Sequence, residues 1–389
     1  MKLKLMKAFE ETYGIGGDIR AFFAPGRVNL IGEHTDYNGG HVLPCTLHMG
    51  TYMVVRKRND SILNFYSINM KELGIITSNL DELYFSKEAD WTNYTKGVLW
   101  ALVKEGYEVP CGMDVFVYGT IPGGAGLSSS ASLEIVTALA VKELFGFSGL
   151  SLIELAKLCQ YAENNYIGCN CGIMDQFVVA MGKKNHCMFL NTNDLTYQYV
   201  PLDLSKVKIV VTNSKVKHSL VDSQYNKRRS ECEKALSELQ SVVTISSLGD
   251  LSKELFDIHE TAIKDPVLRL RARHAVYENQ RTIEATKALK EENLMKFGRL
   301  MNDSHRSLRD DYQVSCEEID CLVELAWNHP GTIGSRITGG GFGGCTVSIV
   351  NQDSVDSFID HLRKGYQHAT GYDAEFYLIE TGDGVKELL

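Results

Sequence analysis

Several features are missing from this chain, and each absence excludes a class of protein. No stretch approaches the ~18 uninterrupted apolar residues that a membrane-spanning helix needs. No apolar core of a secretory leader stands near the start. There is no surplus of positive charge: 40 Lys and Arg against 49 Asp and Glu leave a net charge of −9. That balance argues against generic binding to nucleic acid or an anionic membrane, while leaving room for a local basic pocket. Internal repeats and low-complexity tracts are absent too. Ten cysteines scattered over 389 residues are too sparse for a disulfide scaffold, so reduced thiols and a cytoplasmic location are expected. What is present is an ordinary globular composition, 44% apolar and 23% charged. The length calls for two domains rather than one hydrophobic core.

The opening MKLKLMKAFEETYG alternates Lys with Leu and turns acidic, which reads as an amphipathic first helix. Residues 20–31 and 42–57 read as strands around the turn-rich GEHTDYNGGH, and 113–121 as a strand ending at Pro122-Gly123-Gly124. From Leu127 the period changes: Leu127, Ala131, Ile135 and Ala138 recur at helical spacing, with Gly146 after the last turn. A second helix opens at Ser151 with Glu154 three residues on, a capping-box pattern, and runs to about Tyr166. GCNCG then leads into a helical MDQFVVAMG. Residues 206–213 form a strand and 222–300 are charged and mostly helical. The chain closes on RIT, a glycine-rich loop, the strand CTVSIV, a helix at about 353–368, and AEFYLIET. The domains expected are 1–195 and 196–389.

Four constellations carry chemistry. In Pro122-Gly-Gly-Ala-Gly-Leu-Ser-Ser-Ser-Ala-Ser132 a strand runs through small residues into a helix. Unpaired first-turn N–H groups and the helix dipole suit phosphate there, and the serines add hydroxyls. A serine-capped helix after a tight turn would need one serine and one glycine, not three glycines and an unbroken run of three serines. It is not a Walker loop: the only Gly-Lys pair is Gly182-Lys183, and the earlier glycine would fall at Phe177. Thr338-Gly-Gly-Gly-Phe-Gly-Gly344 contains GxGxxG formally, but a strand follows where a dinucleotide fold needs a helix, so it reads as a close-approach loop.

The third constellation crowds Arg27, Glu33, His34 and Asp36 at the edge of an apolar strand. Such a set can hydrogen-bond several hydroxyls of a polyol; zinc lacks a second histidine at ligand spacing, and a solvated charged turn is the competing reading. The fourth pairs Glu163, on or beside the apolar stripe of its helix, with Asp175 near a helix start. A carboxylate at Glu163 needs a partner or a metal, whereas Asp175 alone reads as a first-turn acid. Cys169 and Cys171 lack a second thiol pair and read as buried thiols.

Taken in order, these blocks resemble the GHMP small-molecule kinases. GRVNLIGEHTDYNGGHVLP looks like the signature of the galactokinase branch, GGAGLSSSAS like the family's ATP loop, CGIMDQF like its catalytic-aspartate segment, and TGGGFGGC like its third motif. HSLVDSQYNKRR is similar to a segment carrying a sugar-contacting tyrosine, here Tyr225. The resemblance runs from Ala24 to Cys345.

It implies an α+β, two-domain GHMP kinase fold, with an N-terminal domain like ribosomal protein S5 domain 2 and a ferredoxin-like C-terminal domain. It also implies Mg-ATP-dependent phosphorylation of galactose at C1. Glu33, His34, Thr35, Asp36, Gly172, Asp175 and Tyr225 would contact the sugar. Gly124, Ala125, Gly126, Leu127, Ser128, Ser129 and Ser130 would hold ATP, with Ser67 beside the adenine. Ser130 and Glu163 would position Mg²⁺. Asp175 would act on the sugar hydroxyl, while Arg27 would hold it ionised and stabilise the transferring phosphoryl group. The expected partner is a small-molecule sugar, with no nucleic acid and no membrane, for a monomer. Phosphorylation of N-acetylgalactosamine, or a non-catalytic galactose- and ATP-binding regulator, are the alternatives within the resemblance.

Overall fold

The computed structural model describes residues 1–216 and 221–389. The first half comprises α1 (Lys2–Tyr13), β1 (Ile19–Asn29), β2 (His41–Val42), β3 (Pro44–Lys57), β4 (Ile62–Ser67), β5 (Ile76–Asn79), α2 (Thr92–Lys104), β6 (Met113–Gly119), α3 (Ser129–Phe145), α4 (Leu152–Ala162), α5 (Met174–Met181), β7 (His186–Asn191) and β8 (Tyr197–Pro201). The second comprises β9 (Val207–Asn213), α6 (Val221–Leu239), α7 (Lys253–His259), α8 (Pro266–Lys290), α9 (Leu294–Asp310), α10 (Glu317–Trp327), β10 (Thr332–Thr338), β11 (Cys345–Asn351), α11 (Val355–Thr370), β12 (Glu375–Ile379) and β13 (Lys386–Glu387). The first three residues of HSLVDSQYNKRR, 218–220, lie outside the described residues.

A six-stranded sheet runs in the order β13-β1-β3-β6-β4-β5. Side chains alternate between its faces. Met53, Val55, Val115 and Val117 join the core under α2–α5, while Val54 and Phe116 between them pack on Leu5 and Phe9 of α1. The expected amphipathic first helix is thus present, its apolar side on the sheet. A four-stranded antiparallel sheet, β10-β11-β9-β12, carries α10 and α11 on one face, through Val210, Leu322, Phe358 and Leu362. Its other face shares a core with the first half: Ile209, Val211, Val347 and Met301 pack with Val28, Leu30 and Leu127. The site forms along this shared core, where loops of both halves meet.

The position 195/196 falls in the turn between β7 and β8, which remain paired across it as a hairpin. The tail then returns to the first sheet, where β13 pairs with β1.

Two local departures shape the site. The helix expected from Leu127 begins at Ser129, because Gly126 (φ 64) and Ser128 (φ 60) adopt left-handed backbone and hold the loop in a tight turn. The capping box at Ser151 and Glu154 is present, but the helix does not continue regularly to Tyr166. It passes into one π turn, Glu163–Ile167, closed by Gly168 and Cys169 N–H groups that both donate to the Glu163 carbonyl (3.0 and 3.1 Å). Such single wide turns re-aim side chains and recur at functional sites.

Candidate active site

Arg27 owes its position to a bulge in β1. The register against β3 shifts between Pro25 and Arg27, and a bulge bends the strand and re-aims the next side chain. Gly26 is required at the bend, since a Cβ there would stand 2.7 Å from the Leu127 carbonyl oxygen. The same carbonyl accepts from Arg27 N–H (3.2 Å), so the strand backs directly onto the serine-rich loop. The Arg27 guanidinium is buried. Its Nε and Nη2 donate to Asp175 Oδ1 and Oδ2, both at 2.7 Å, and Nη1 donates to Gly126 O at 2.8 Å. Ser128 Oγ donates to Asp175 Oδ2 at 2.5 Å. A charged, two-point fork of this kind fixes orientation as well as contributing energy. Asp175 also sits in the first turn of α5, where the helix dipole favours negative charge.

The polar loop after β1 is clasped from within. Thr35 Oγ1 lies 2.9 Å from Gly32 O and 2.7 Å from His41 O, and Asn38 Nδ2 donates to His34 O at 2.7 Å. His34 takes a left-handed backbone (φ 61). Glu33 is tied to the other half of the chain: its Oε1 accepts from Gly339 N–H (2.8 Å) and Thr338 Oγ1 (3.0 Å), and lies 3.0 Å from Arg336 Nη2. Asp36 approaches Gly172 so closely that a Cβ there would be 2.0 Å from its Oδ2. Burial, then the charges of Asp175 and Glu33, push the Asp36 carboxyl up to about 7, against the Met174 N–H that bonds it. Burial lowers His34 to about 4, so the ring is neutral at pH 7. The ring of Tyr225 closes over it at 5.4 Å.

On the far side of Asp175 lies a pair of buried glutamates. Gln176 Nε2 donates to Glu163 Oε2 (2.5 Å) and to Glu134 Oε2 (3.1 Å). Burial, then the charge of Asp175, raises Glu163 to about 7, while hydrogen bonds from Cys171, Ser130 and Gln176 pull the other way. Glu134 is raised further, chiefly by complete burial and then by Glu163. A magnesium ion fits this donor set. Ser130 and Glu163 would supply hard oxygen ligands, and a divalent cation would relieve a carboxylate held against its preference. Among the described residues no group of three His, Cys, Asp or Glu could hold a metal. Mg²⁺ ordinarily takes one or two protein oxygens beside water and phosphate.

Most of these groups line one cavity of about 430 Å³, whose lining does not include Glu134 or Gln176. Of the residues expected from the sequence it gathers Arg27, Glu33, His34, Asp36, Gly124, Gly126, Leu127, Ser128, Ser129, Ser130, Glu163, Gly172, Asp175 and Tyr225. Three stand outside its lining. Thr35 is buried and spends its hydroxyl on the loop clasp. Ala125 is buried in the shared core beside Leu127. Ser67, at the end of β4, accepts from Asn69 N–H and pairs in register with Val117 of β6. Ser128 reaches the cavity, but its hydroxyl is committed to Asp175. Cys169 and Cys171, expected to be buried, are half-buried and line the cavity.

Several contributors were not among the residues expected from the sequence. Glu134 is a carboxylate in a helix otherwise apolar on nearly every side, a signal that could have been read. Gln176 adjoins Asp175. Arg228, which donates to Tyr312 O (2.8 Å) and Gln313 O (2.9 Å) and so holds the segment after α9 against α6, lies inside HSLVDSQYNKRR, where only Tyr225 was singled out.

Known proteins resemble this chain over its full length. Residues 7–57 match the galactokinase galactose-binding signature, 93–183 the GHMP kinases N terminal domain, and 285–368 the GHMP kinases C terminal domain. A galactokinase of Clostridium beijerinckii is 50% identical over 367 residues, covering 94% of each chain. One of Bacillus subtilis is 49% identical over 388 residues, covering 100% of this chain and 99% of that one. A crystal structure of Lactococcus lactis galactokinase complexed with galactose superposes with a TM-score of 0.97 at 42% identity, covering 100% of both chains. Methanococcus jannaschii mevalonate kinase, at 19% identity and a TM-score of 0.65 over 95% of this chain and 99% of its own, shares the fold.

Proposed function

The chain belongs to the galactokinase family of the GHMP kinases, and from that premise we propose that it transfers the γ-phosphoryl group of ATP to the C1 hydroxyl of α-D-galactose. The products are galactose 1-phosphate and ADP, at the entry to galactose catabolism. The observation that carries this reading is the Arg27–Asp175–Ser128 node. It lies in one cavity between a polyol-binding loop and the first turn of α3.

Phosphoryl transfer asks a protein for in-line positioning and charge neutralisation rather than covalent chemistry. The first intrahelical bond of α3 runs from Ser132 N–H to Ser128 O (3.0 Å). The N–H groups ahead of it therefore face the cavity mouth, where the phosphates of ATP bind. Glu33, His34, Asp36 and Tyr225 hold the sugar hydroxyls. Asp175 accepts the proton of the C1 hydroxyl, and the Arg27 fork fixes the carboxylate plane for that transfer. Arg27 also places a buried cation beside the phosphoryl group in flight. Ser130 and Glu163 would hold Mg²⁺, which when bound would neutralise phosphate charge. The use of ATP and ten unpaired thiols favour the cytoplasm.

The test is ADP release with Mg-ATP and galactose, N-acetylgalactosamine, glucose, mevalonate or homoserine, with Asp175→Asn as control. Turnover on galactose, lost by orders of magnitude in the variant while ATP binding persists, is expected. Equal kcat/KM for N-acetylgalactosamine would shift the substrate. Galactose-dependent stabilisation without ADP release would instead mark a sensor, and wild-type turnover in Asp175→Asn would remove that residue from the chemistry.

A further inference from the structure

Behind the sugar loop runs a file of hydrogen bonds that no step above uses. His34 Nδ1 lies 2.7 Å from Tyr37 Oη, Tyr37 Oη 2.8 Å from Tyr312 Oη, and Tyr312 Oη 3.1 Å from Cys232 Sγ. Tyr312 and Cys232 are buried, brought to His34 from the end of α9 and from α6. Tyr312 packs on His34 at 4.8 Å between ring centres. The other imidazole nitrogen, His34 Nε2, is buried and has no protein partner among the described residues, and His34 lines the cavity.

Each member has one proton, so the file must point one way along its length. An imidazole nitrogen is a strong acceptor and a thiol sulfur a weak one, whereas a thiol can still donate. Run towards His34, the chain places Cys232 S–H on Tyr312, Tyr312 O–H on Tyr37, and Tyr37 O–H on His34 Nδ1. Run the other way, it would end a phenol O–H on sulfur and leave Nε2 a buried acceptor facing hydroxyls.

We propose that the Cys232–Tyr312–Tyr37 chain fixes His34 in the tautomer protonated on Nε2, so that His34 offers the sugar an N–H donor. Tyr37, Tyr312 and Cys232 are then positioning residues for sugar recognition, and the inference rests on the galactose reading of the cavity. A site with a committed donor selects an oxygen acceptor at that position and rejects an analogue lacking it, because the donor is then left unpaired.

The experiment is the long-range ¹H–¹⁵N spectrum of histidine-labelled protein without sugar, with Tyr37→Phe and Tyr312→Phe alongside. A proton on Nε2 and a hydrogen-bonded, unprotonated Nδ1 are expected in the wild type, with the Nδ1 resonance moving in Tyr37→Phe. Galactose kcat/KM should fall about fivefold in Tyr37→Phe, as for one lost hydrogen bond, through KM rather than kcat, and less in Tyr312→Phe. Among the monodeoxygalactoses one should show no further loss in Tyr37→Phe, having already lost its half of the bond. A wild-type proton on Nδ1 would overturn the proposal whether or not the variants fold. So would a loss in Tyr37→Phe that is equal for every deoxy sugar. Failure of wild-type protein to turn over galactose refutes the functional reading instead, and the sugar-free spectrum is read independently of it.

Discussion

Gly172→Ala is the substitution whose consequence the structure defines most narrowly. Gly172 does not adopt left-handed backbone, so alanine brings no backbone strain and acts only through its methyl group. That methyl would lie 2.0 Å from Asp36 Oδ2, 2.2 Å from its Cγ and 2.8 Å from its Oδ1. Ordinary contact begins near 3.4 Å, so the carboxylate must retreat by roughly 1.4 Å. A retreat of that size breaks the hydrogen bond from Met174 N–H and takes Asp36 out of reach of the sugar. One or two hydrogen bonds to a charged or polar acceptor are then lost, about 1–3 kcal/mol, or roughly 5- to 100-fold in galactose kcat/KM. The serine-rich loop touches neither residue's displaced atoms, so the KM for ATP should stay within about twofold of wild type, a shift of no more than roughly 0.4 kcal/mol. Steady-state ADP release, with each substrate varied in turn, separates the two. An unchanged galactose KM would refute the claim that Asp36 in its present place binds the sugar. An equal loss for both substrates would show that the methyl group disturbs the whole cavity.

Three further outcomes follow from the same geometry. Arg27→Lys keeps the charge but cannot make the two-point fork to Asp175 together with the Gly126 contact, so kcat should fall by about two orders of magnitude; a loss under tenfold would mean that charge alone suffices. Asp36 has its carboxyl raised from 3.8 to about 7 in the folded protein, so ionising it costs stability. The penalty is absent at low pH, grows as pH rises from about 4 to about 7 and is complete above that. Asp36→Asn should therefore raise Tm more at pH 8 than at pH 5 while weakening galactose binding, and a gain independent of pH would contradict this. Glu134, whose carboxyl burial and Glu163 keep protonated, should accept Glu134→Gln with Tm changed by no more than about 2 °C; a large drop by calorimetry would mean that it is ionised and paired.

Local chemistry was legible in the sequence wherever a few neighbouring residues decide the outcome. The capping box at Ser151, the amphipathic first helix and the small residues before α3 all act over a few turns of chain. The motifs were legible too, because a tight turn or a phosphate loop needs particular residues at consecutive positions. What only the tertiary structure decided are the contacts between distant segments. Arg27 and Asp175 are 148 residues apart and Glu33 and Gly339 are 306 apart, yet each pair shares hydrogen bonds. A side chain at 172 is excluded because Asp36 arrives against it, and Tyr312 and Cys232 connect to His34 through Tyr37 from separate helical segments. Helical and strand periods record which face of an element is buried. They do not record which buried polar atom meets which, because that depends on how separate elements pack in three dimensions.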